Sequence, residues 1–377
     1  MADFVVVGGG VYGAGVAWEL AKRGAEVHLL DAQTIASGAS GGLGKRGVRA
    51  NGRDLREMPL MEIAYDIWPS LNEALDAPTG YERTGHLLLI EREEDLAEAE
   101  ARAWLQTRQG IPTQLFEQNR LREVEPHLSL NVIAALYCPH DGIADHTATT
   151  RALAKAAGNL GARIQEQTAV VDLERDDERV TALLTDQAGR IPVGHTVLLL
   201  SNSHAATFVK KQLDITLPVW TLLPQVMLTE PVEPMPLKHL IGHAHRTLAM
   251  KVVSNNQIMI SGGWHGRWDA AARRGETLPD QIEGNRAEAV AVYPDLAGVG
   301  IAEAAADRLE TISLDGIPII DRLPGASNMI VATGWCGHGW AIAPAVIQLL
   351  ADWALSGRQP DLLRPFNYNR FLGSRKN

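Results

Sequence analysis

Residues 4–13 read Phe4-Val5-Val6-Val7-Gly8-Gly9-Gly10-Val11-Tyr12-Gly13, a β-branched run that breaks into glycines. Beyond it Val16, Ala17, Leu20 and Ala21 recur at helical spacing until Gly24, and a second apolar run, Val27 to Leu30, ends in Asp31. Strand, turn, helix and strand in that order make a βαβ unit. Gly8, Gly10 and Gly13 match G-x-G-x-x-G between a strand and a helix start, the context that gives this motif its meaning. The first glycine permits the tight turn, the second lets a pyrophosphate approach the backbone, and the third lets helix and strand pack closely. Free N–H groups and the dipole at the helix N-terminus then attract phosphate charge. Asp31 closes the second strand, where a carboxylate can accept hydrogen bonds from an adenosine ribose.

The bulk composition sets the remaining limits. At 377 residues the chain is long enough for two packed domains, and its 46% apolar and 21% charged residues are ordinary for a globular protein. No segment approaches the roughly 20 consecutive apolar residues of a membrane span. Met1-Ala2-Asp3 leads straight into a strand without the basic region of a signal peptide, so a cytoplasmic protein is expected. Cys138 and Cys336 are the only cysteines, too few for a four-cysteine metal or iron–sulfur site. Any such redox centre would belong to a partner subunit. A net charge of −10 argues against nucleic acid as a ligand.

A few residues after Asp31 stands Ala36-Ser37-Gly38-Ala39-Ser40-Gly41-Gly42-Leu43-Gly44, too irregular for a helix and too patterned for a linker. Small residues there let backbone N–H groups reach a phosphate or a flavin ring. One N-terminal dinucleotide unit followed by such a loop favours tightly held FAD over NAD. Residues Glu94 to Gln109 read as a charged surface helix. From about Pro218 to Ile260 the alternation is strand-like and broken by prolines, as in an antiparallel sheet inserted as a separate, substrate-carrying layer. The expected architecture is α/β: a Rossmann-type FAD-binding domain with an inserted antiparallel-sheet (α+β) substrate domain. The FAD-binding domain takes residues 1–84, 140–218 and 306–377, and the substrate domain takes residues 85–139 and 219–305.

The second loop resembles the second FAD contact of the D-amino-acid oxidase superfamily, which includes glycine and sarcosine oxidases. The look is nearest to the flavoprotein subunits of bacterial opine, proline and hydroxyproline dehydrogenases. Asp315-Gly316-Ile317-Pro318-Ile319-Ile320 resembles the family's D-G-x-P-x-I-G run, with Asp321 where glycine is common. Thr333-Gly334-Trp335-Cys336-Gly337-His338-Gly339 resembles its glycine-rich turn before the last helix, whose N-terminus in relatives aims at the flavin. One departure is that Leu200-Ser201-Asn202-Ser203-His204 puts polar residues where the family has Ala-x-Gly.

The expected cofactor contacts are Gly8, Gly10, Val11, Tyr12 and Gly13 in the turn, Asp31 and Ala32 after the second strand, and Val170 in a later one. Further contacts are expected from Ser37, Ser40, Gly41, Gly42, Leu43, Lys45 and Arg46 in the second loop, and from Gly337, His338 and Gly339. Amine oxidation leaves the hard step to the flavin, so the protein needs a cation for a substrate carboxylate, an apolar wall and a group at the flavin edge. Arg46 and Arg49 are the preferred cations, Arg308 is the arginine nearest the D-G-x-P run, and His338 and His265 are the candidate histidines. Trp264 and Arg267 lie beside His265 as possible wall and carboxylate contact. His140, Asp141, Asp145 and His146 have ligand-like chemistry but sit where a loop enters a helix, so capping is expected and no metal site.

What the resemblance implies is FAD-dependent oxidation of the carbon–nitrogen bond of an amino acid or secondary amine to an imine. The leading expectation is the catalytic subunit of a heteromeric dehydrogenase, with partners carrying further redox centres. Two alternatives stand beside it: a stand-alone oxidase that releases peroxide, and a non-catalytic electron-relay subunit.

Overall fold

The computed structural model describes residues 2–42, 44–187 and 189–373, so Leu43 lies outside the described residues. The apolar runs of the N-terminal unit are central strands. Ala2–Val7 pairs in parallel with Val27–Leu30 on one side and with Arg190–Leu199 on the other. Successive residues of a strand face opposite ways. Accordingly Phe4 and Val6 enter one apolar core while Val5 and Val7 enter another, which is why the run is β-branched throughout rather than alternating. Arg163–Gln165 extends the sheet beyond Val27–Leu30, and Met329–Thr333 and then Ile319–Arg322 extend it at the other end. The helix Val11–Lys22 covers one face with His146–Asn159 and Gly339–Ser356.

The second layer is an eight-stranded sheet drawn from residues 86–138 and 226–305. Its pairings are antiparallel except where Leu240–His243 meets His86–Ile90 in parallel, because these strands arrive from separate parts of the chain. The helix Pro279–Val292 supplies Ala289 and Val292 to its core, and Glu94–Arg108 packs Ala99 on another small cluster. Val219–Leu222 stands apart from this sheet, paired with Glu310–Ser313 as a two-stranded ladder. The loop after Asp31 contains one regular piece, Lys45–Val48, held by antiparallel pairing with Gly142–Asp145.

Gly339–Ser356 is long and apolar enough to cross a membrane, but 67% of it is buried inside the protein. Its apolarity is that of a core helix.

Candidate active site

The two sheets enclose a cavity of about 590 Å³. Its walls include Ser40 and Gly41 from the second loop, Arg46 from the strand Lys45–Val48 and Arg49 just after it, and Gly337 and His338 from the turn before the last helix. The inserted sheet closes it with Leu88, Ile90, Lys251 and Met259.

The dinucleotide turn lies on the Rossmann side. Gly8 has φ of +108°, and a Cβ at Gly13 would lie 1.8 Å from the Gly8 carbonyl oxygen, so neither position tolerates a side chain. Before the helix the ground is open among the described residues: a Cβ at Gly10 would meet none of their atoms within 4 Å, and none of their side chains caps the helix there. Val11 and Tyr12 begin the helix, Tyr12 stacking on Trp335 with ring centroids 3.7 Å apart and donating to the Gly339 carbonyl at 2.5 Å. Asp31 accepts from the Gly9 N–H at 2.6 Å and the Gln33 N–H at 2.7 Å, so it braces the turn as well as ending the strand. Ala32 follows it at the surface, and Val170 begins the strand Val170–Asp176.

The second loop is held from within. Arg46 donates to the carbonyls of Gly42, Ser40 and Gly44, and burial brings its guanidinium down to about 10. Ser37 instead turns its hydroxyl to Thr34 at 2.7 Å, and Lys45 pairs with Glu82 at the edge of this region. Arg49 is partly buried and donates to the Asn51 carbonyl at 2.8 Å. It forms no salt bridge among the described residues.

His338 is fixed at both ring nitrogens. Arg53, an invariable donor, reaches Nδ1 at 3.1 Å, and Nε2 lies 3.2 Å from the Gly316 carbonyl. Nδ1 therefore accepts and Nε2 carries the hydrogen, which makes this histidine a brace for the turn. His265 lines the cavity rim, exposed, with its backbone bridged to Pro224. Arg308 is not brought to the cavity: it precedes the strand Glu310–Ser313, and its guanidinium is drawn to the carbonyls of Ser37 and Asp307. Arg267 pairs with Glu276 at 2.6 Å on the outside, and Trp264 donates to the Thr247 carbonyl. Asp145 caps the helix His146–Asn159 through the Ala148 N–H at 2.9 Å. Asp141 is buried beside it and accepts from the Ala50 and Asn51 N–H groups and from Tyr65.

Lys251 and Glu310, both buried in the cavity wall, are among the ionisable residues that escaped the sequence reading. Lys251 is only 5% exposed, and burial together with Arg46 and Arg49 pushes its ammonium down to about 7. The signal was a single cation in the apolar strand Ala249–Val252, where Met250 faces the core and Lys251 must face the other way. Glu310 is equally buried, and desolvation raises its carboxyl above the usual range.

With this geometry in hand the comparisons are specific. The family model described as "DAO: FAD dependent oxidoreductase" matches residues 3–353. Glycine oxidase of Geobacillus kaustophilus (strain HTA426) is 26% identical across 98% of this chain and 97% of its own length. Sarcosine oxidase subunit beta of an Arthrobacter species is 25% identical across 98% and 91%. The crystal structure of L-proline dehydrogenase from P. horikoshii superposes with a TM-score of 0.89 at 24% identity, covering 98% of this chain and 97% of that one.

Proposed function

The chain belongs to the DAO family of FAD-dependent oxidoreductases, and from this we propose that it oxidises the carbon–nitrogen bond of a carboxylate-bearing amino acid or secondary amine to an imine. The residues present fit the cofactor. Among the described residues, the open ground at Gly10 and the uncapped helix start offer backbone contacts that the protein itself leaves unmet. When bound, FAD supplies the acceptor for a hydride equivalent from the carbon that bears nitrogen.

The observation that carries the substrate reading is the pair Arg49 and Lys251. Arg49 is partly buried and Lys251 almost wholly buried at the cavity wall; neither forms a salt bridge among the described residues, although Asp141 and Glu57 favour the Arg49 charge from further away. Burying cations without counter-charge is costly unless a ligand supplies the anion. A carboxylate on the substrate meets that need and fixes the amine-bearing carbon relative to the rest of the wall. Leu88, Ile90 and Met259 add apolar surface to the same cavity wall. Arg46 holds the second loop, and Arg53 with His338 holds the turn before the last helix, so both edges of the site are rigid before substrate arrives. Anaerobic mixing tests the reading: a carboxylate-bearing amine should bleach the flavin band near roughly 450 nm. If no amine bleaches it while a complex with partner subunits remains active, the chain is an electron relay.

The electron acceptor has two readings. Similarity to a sarcosine oxidase beta subunit supports a chain that works beside partner subunits carrying further redox centres. Lys251 supports the other, since a buried cation beside Arg46 and Arg49 favours formation of anionic reduced oxygen in the same cavity. Stoichiometric peroxide from the purified chain, without dye, selects the stand-alone oxidase.

A further inference from the structure

We propose that His86 takes the ammonium proton of the substrate, an assignment that rests on the amine-oxidation reading above. Leu87 and Leu89 enter the core of the inserted sheet, so in the strand His86–Ile90 the residues His86 and Leu88 take the other face and line the cavity. The neighbouring strand Leu240–His243 carries Gly242 on that face, where a Cβ would stand 2.8 Å from His86 Nε2. The Gly242 backbone has no positive φ that would call for glycine, so its missing side chain serves to leave Nε2 uncovered.

Behind the ring stands Asp141. Its carboxylate accepts from the Ala50 N–H at 2.6 Å, the Asn51 N–H at 3.2 Å and the Tyr65 hydroxyl at 2.5 Å, and its Oδ2 lies 3.4 Å from His86 Nδ1. Burial works to raise this carboxyl, but His86, Tyr65 and the Ala50 N–H hold it below the ordinary range, so it is ionised. At 3.4 Å the buried Nδ1 is not yet in hydrogen-bond geometry with it. A hydrogen on Nδ1 is attracted to the carboxylate, whereas a lone pair there is repelled. The neutral ring therefore turns its lone pair, at Nε2, to the cavity. Charging the ring tightens a long contact of this kind.

The surroundings decide what that lone pair meets. Ala50 and Asn51, the backbone donors to Asp141, directly follow Arg49, so one carboxylate anchors both the imidazole and the segment that carries the substrate's cation. In an α-amino acid the nitrogen and the carboxylate share a neighbouring carbon. A carboxylate on Arg49 thus brings an N–H donor to the stretch of wall where Nε2 accepts. The step balances: an N–H bond of the ammonium breaks, the proton joins Nε2, and Asp141 stabilises the imidazolium. The freed nitrogen lone pair assists loss of the hydride equivalent from the adjacent carbon, and His86 later returns its proton to water.

The charged and titratable groups facing His86 are Asp141, Arg49, His239 before the strand Leu240–His243, and Cys138 across the ladder. Burial lowers the imidazole from its ordinary value, with Arg49 and His239 assisting and Asp141 opposing, so the free site holds the neutral base at neutral pH. His86→Asn keeps a donor for Asp141 and removes the acceptor. Without a base, the protein must draw on the neutral amine in solution, about one part in 10³ at pH 7 for an amine titrating near roughly 10. The H86N loss in kcat/KM should therefore be roughly 10²- to 10³-fold at about pH 7 and shrink by about tenfold per pH unit toward about pH 9. Lys251 titrates in both proteins, so their ratio isolates His86. A second readout needs no turnover. H86N should weaken binding of 2-methylalanine, which has no hydrogen on the amine-bearing carbon, by about tenfold or more, and binding of isobutyrate by less than about twofold. A wild-type to H86N ratio that stays constant with pH, or equal weakening of the two ligands, overturns the proposal. Should H86N not fold, Gly242→Ala, whose methyl covers Nε2, takes its place, and a constant ratio there overturns the proposal. A wild-type protein whose flavin no amine bleaches overturns the amine-oxidation reading instead, and this assignment falls with it.

Discussion

The guanidinium of Arg53 donates to the ring Nδ1 of His338 at 3.1 Å and also to the carbonyl oxygen of the same residue. On its other side it pairs with Glu57 at 3.2 Å, with both side chains almost wholly buried. One arginine thus ties the segment after the second loop to the turn that starts the last helix. Burial would raise the Glu57 carboxyl, but it is held below its ordinary value, with the Arg53 guanidinium the main opposing charge. Replacing Arg53 with Met leaves that carboxylate buried and unpaired, at an expected cost of about 3–5 kcal/mol. Urea unfolding of the FAD-loaded protein measures it. A loss under about 1 kcal/mol means that the pair is dispensable.

Arg49 carries the substrate prediction. Arg49→Met should lower kcat/KM for carboxylate-bearing amines by roughly 10²- to 10³-fold, since a charge-assisted and partly bidentate contact disappears. Amines that lack the carboxylate should change by only about twofold. Arg49→Lys should fall between, because an ammonium restores charge without the planar fork. Equal losses for both substrate types would show that Arg49 maintains the fold of the site instead.

How far the sequence could be read follows from what each residue depends on. The N-terminal unit was legible because Gly8, Gly13 and the strand Ala2–Val7 interact within a few tens of residues, and each glycine answers a local steric demand. The second loop was legible as a small-residue segment, although the short strand Lys45–Val48 was not, since its partner Gly142–Asp145 lies far along the chain. The cavity wall was the hard part. Arg308 stands near Asp315 in sequence, but side-chain direction depends on where the strand begins, and the strand begins at Glu310. Lys251 becomes a cavity residue only when Ala249–Val252 pairs with Leu240–His243 and Ile258–Ser261, which fixes the face it takes.

Lys251 also has a pH signature. Its ammonium ordinarily titrates near 10.5 and is lowered to about 7 here, by burial first and then by Arg46 and Arg49. Between those values the unfolded chain holds a proton that the native state has released, so stability rises with pH across that window. Below about pH 7 the native state carries the cation and its full desolvation penalty. Lys251→Met removes that penalty, so its stability gain over wild type should be largest in acid and shrink as pH approaches roughly 10. Wild-type affinity for a carboxylate ligand should weaken as pH rises through about 7, and that step should vanish in the variant. Parallel unfolding curves for the two apoproteins at all pH values would overturn the assignment.

Gly10 and Gly13 separate binding from folding within a single turn. A methyl at Gly13 would fall 1.8 Å from the Gly8 carbonyl oxygen, and that backbone cannot retreat because the Gly8 N–H is held by Leu30 at 2.8 Å. Gly13→Ala should therefore destabilise the apoprotein by several kcal/mol, in the range reserved for backbone clashes in a core. A methyl at Gly10 enters open space, so Gly10→Ala should unfold within about 0.5–1 kcal/mol of wild type. That same space is where a pyrophosphate must approach the helix N-terminus, so the variant should lose FAD affinity by roughly 10²-fold or more. Paired measurements of apoprotein melting and FAD titration read the two effects independently. A Gly10→Ala protein that binds FAD as wild type does would mean that the phosphates lie elsewhere, and the proposed path from the dinucleotide turn to Arg49 would have to be redrawn.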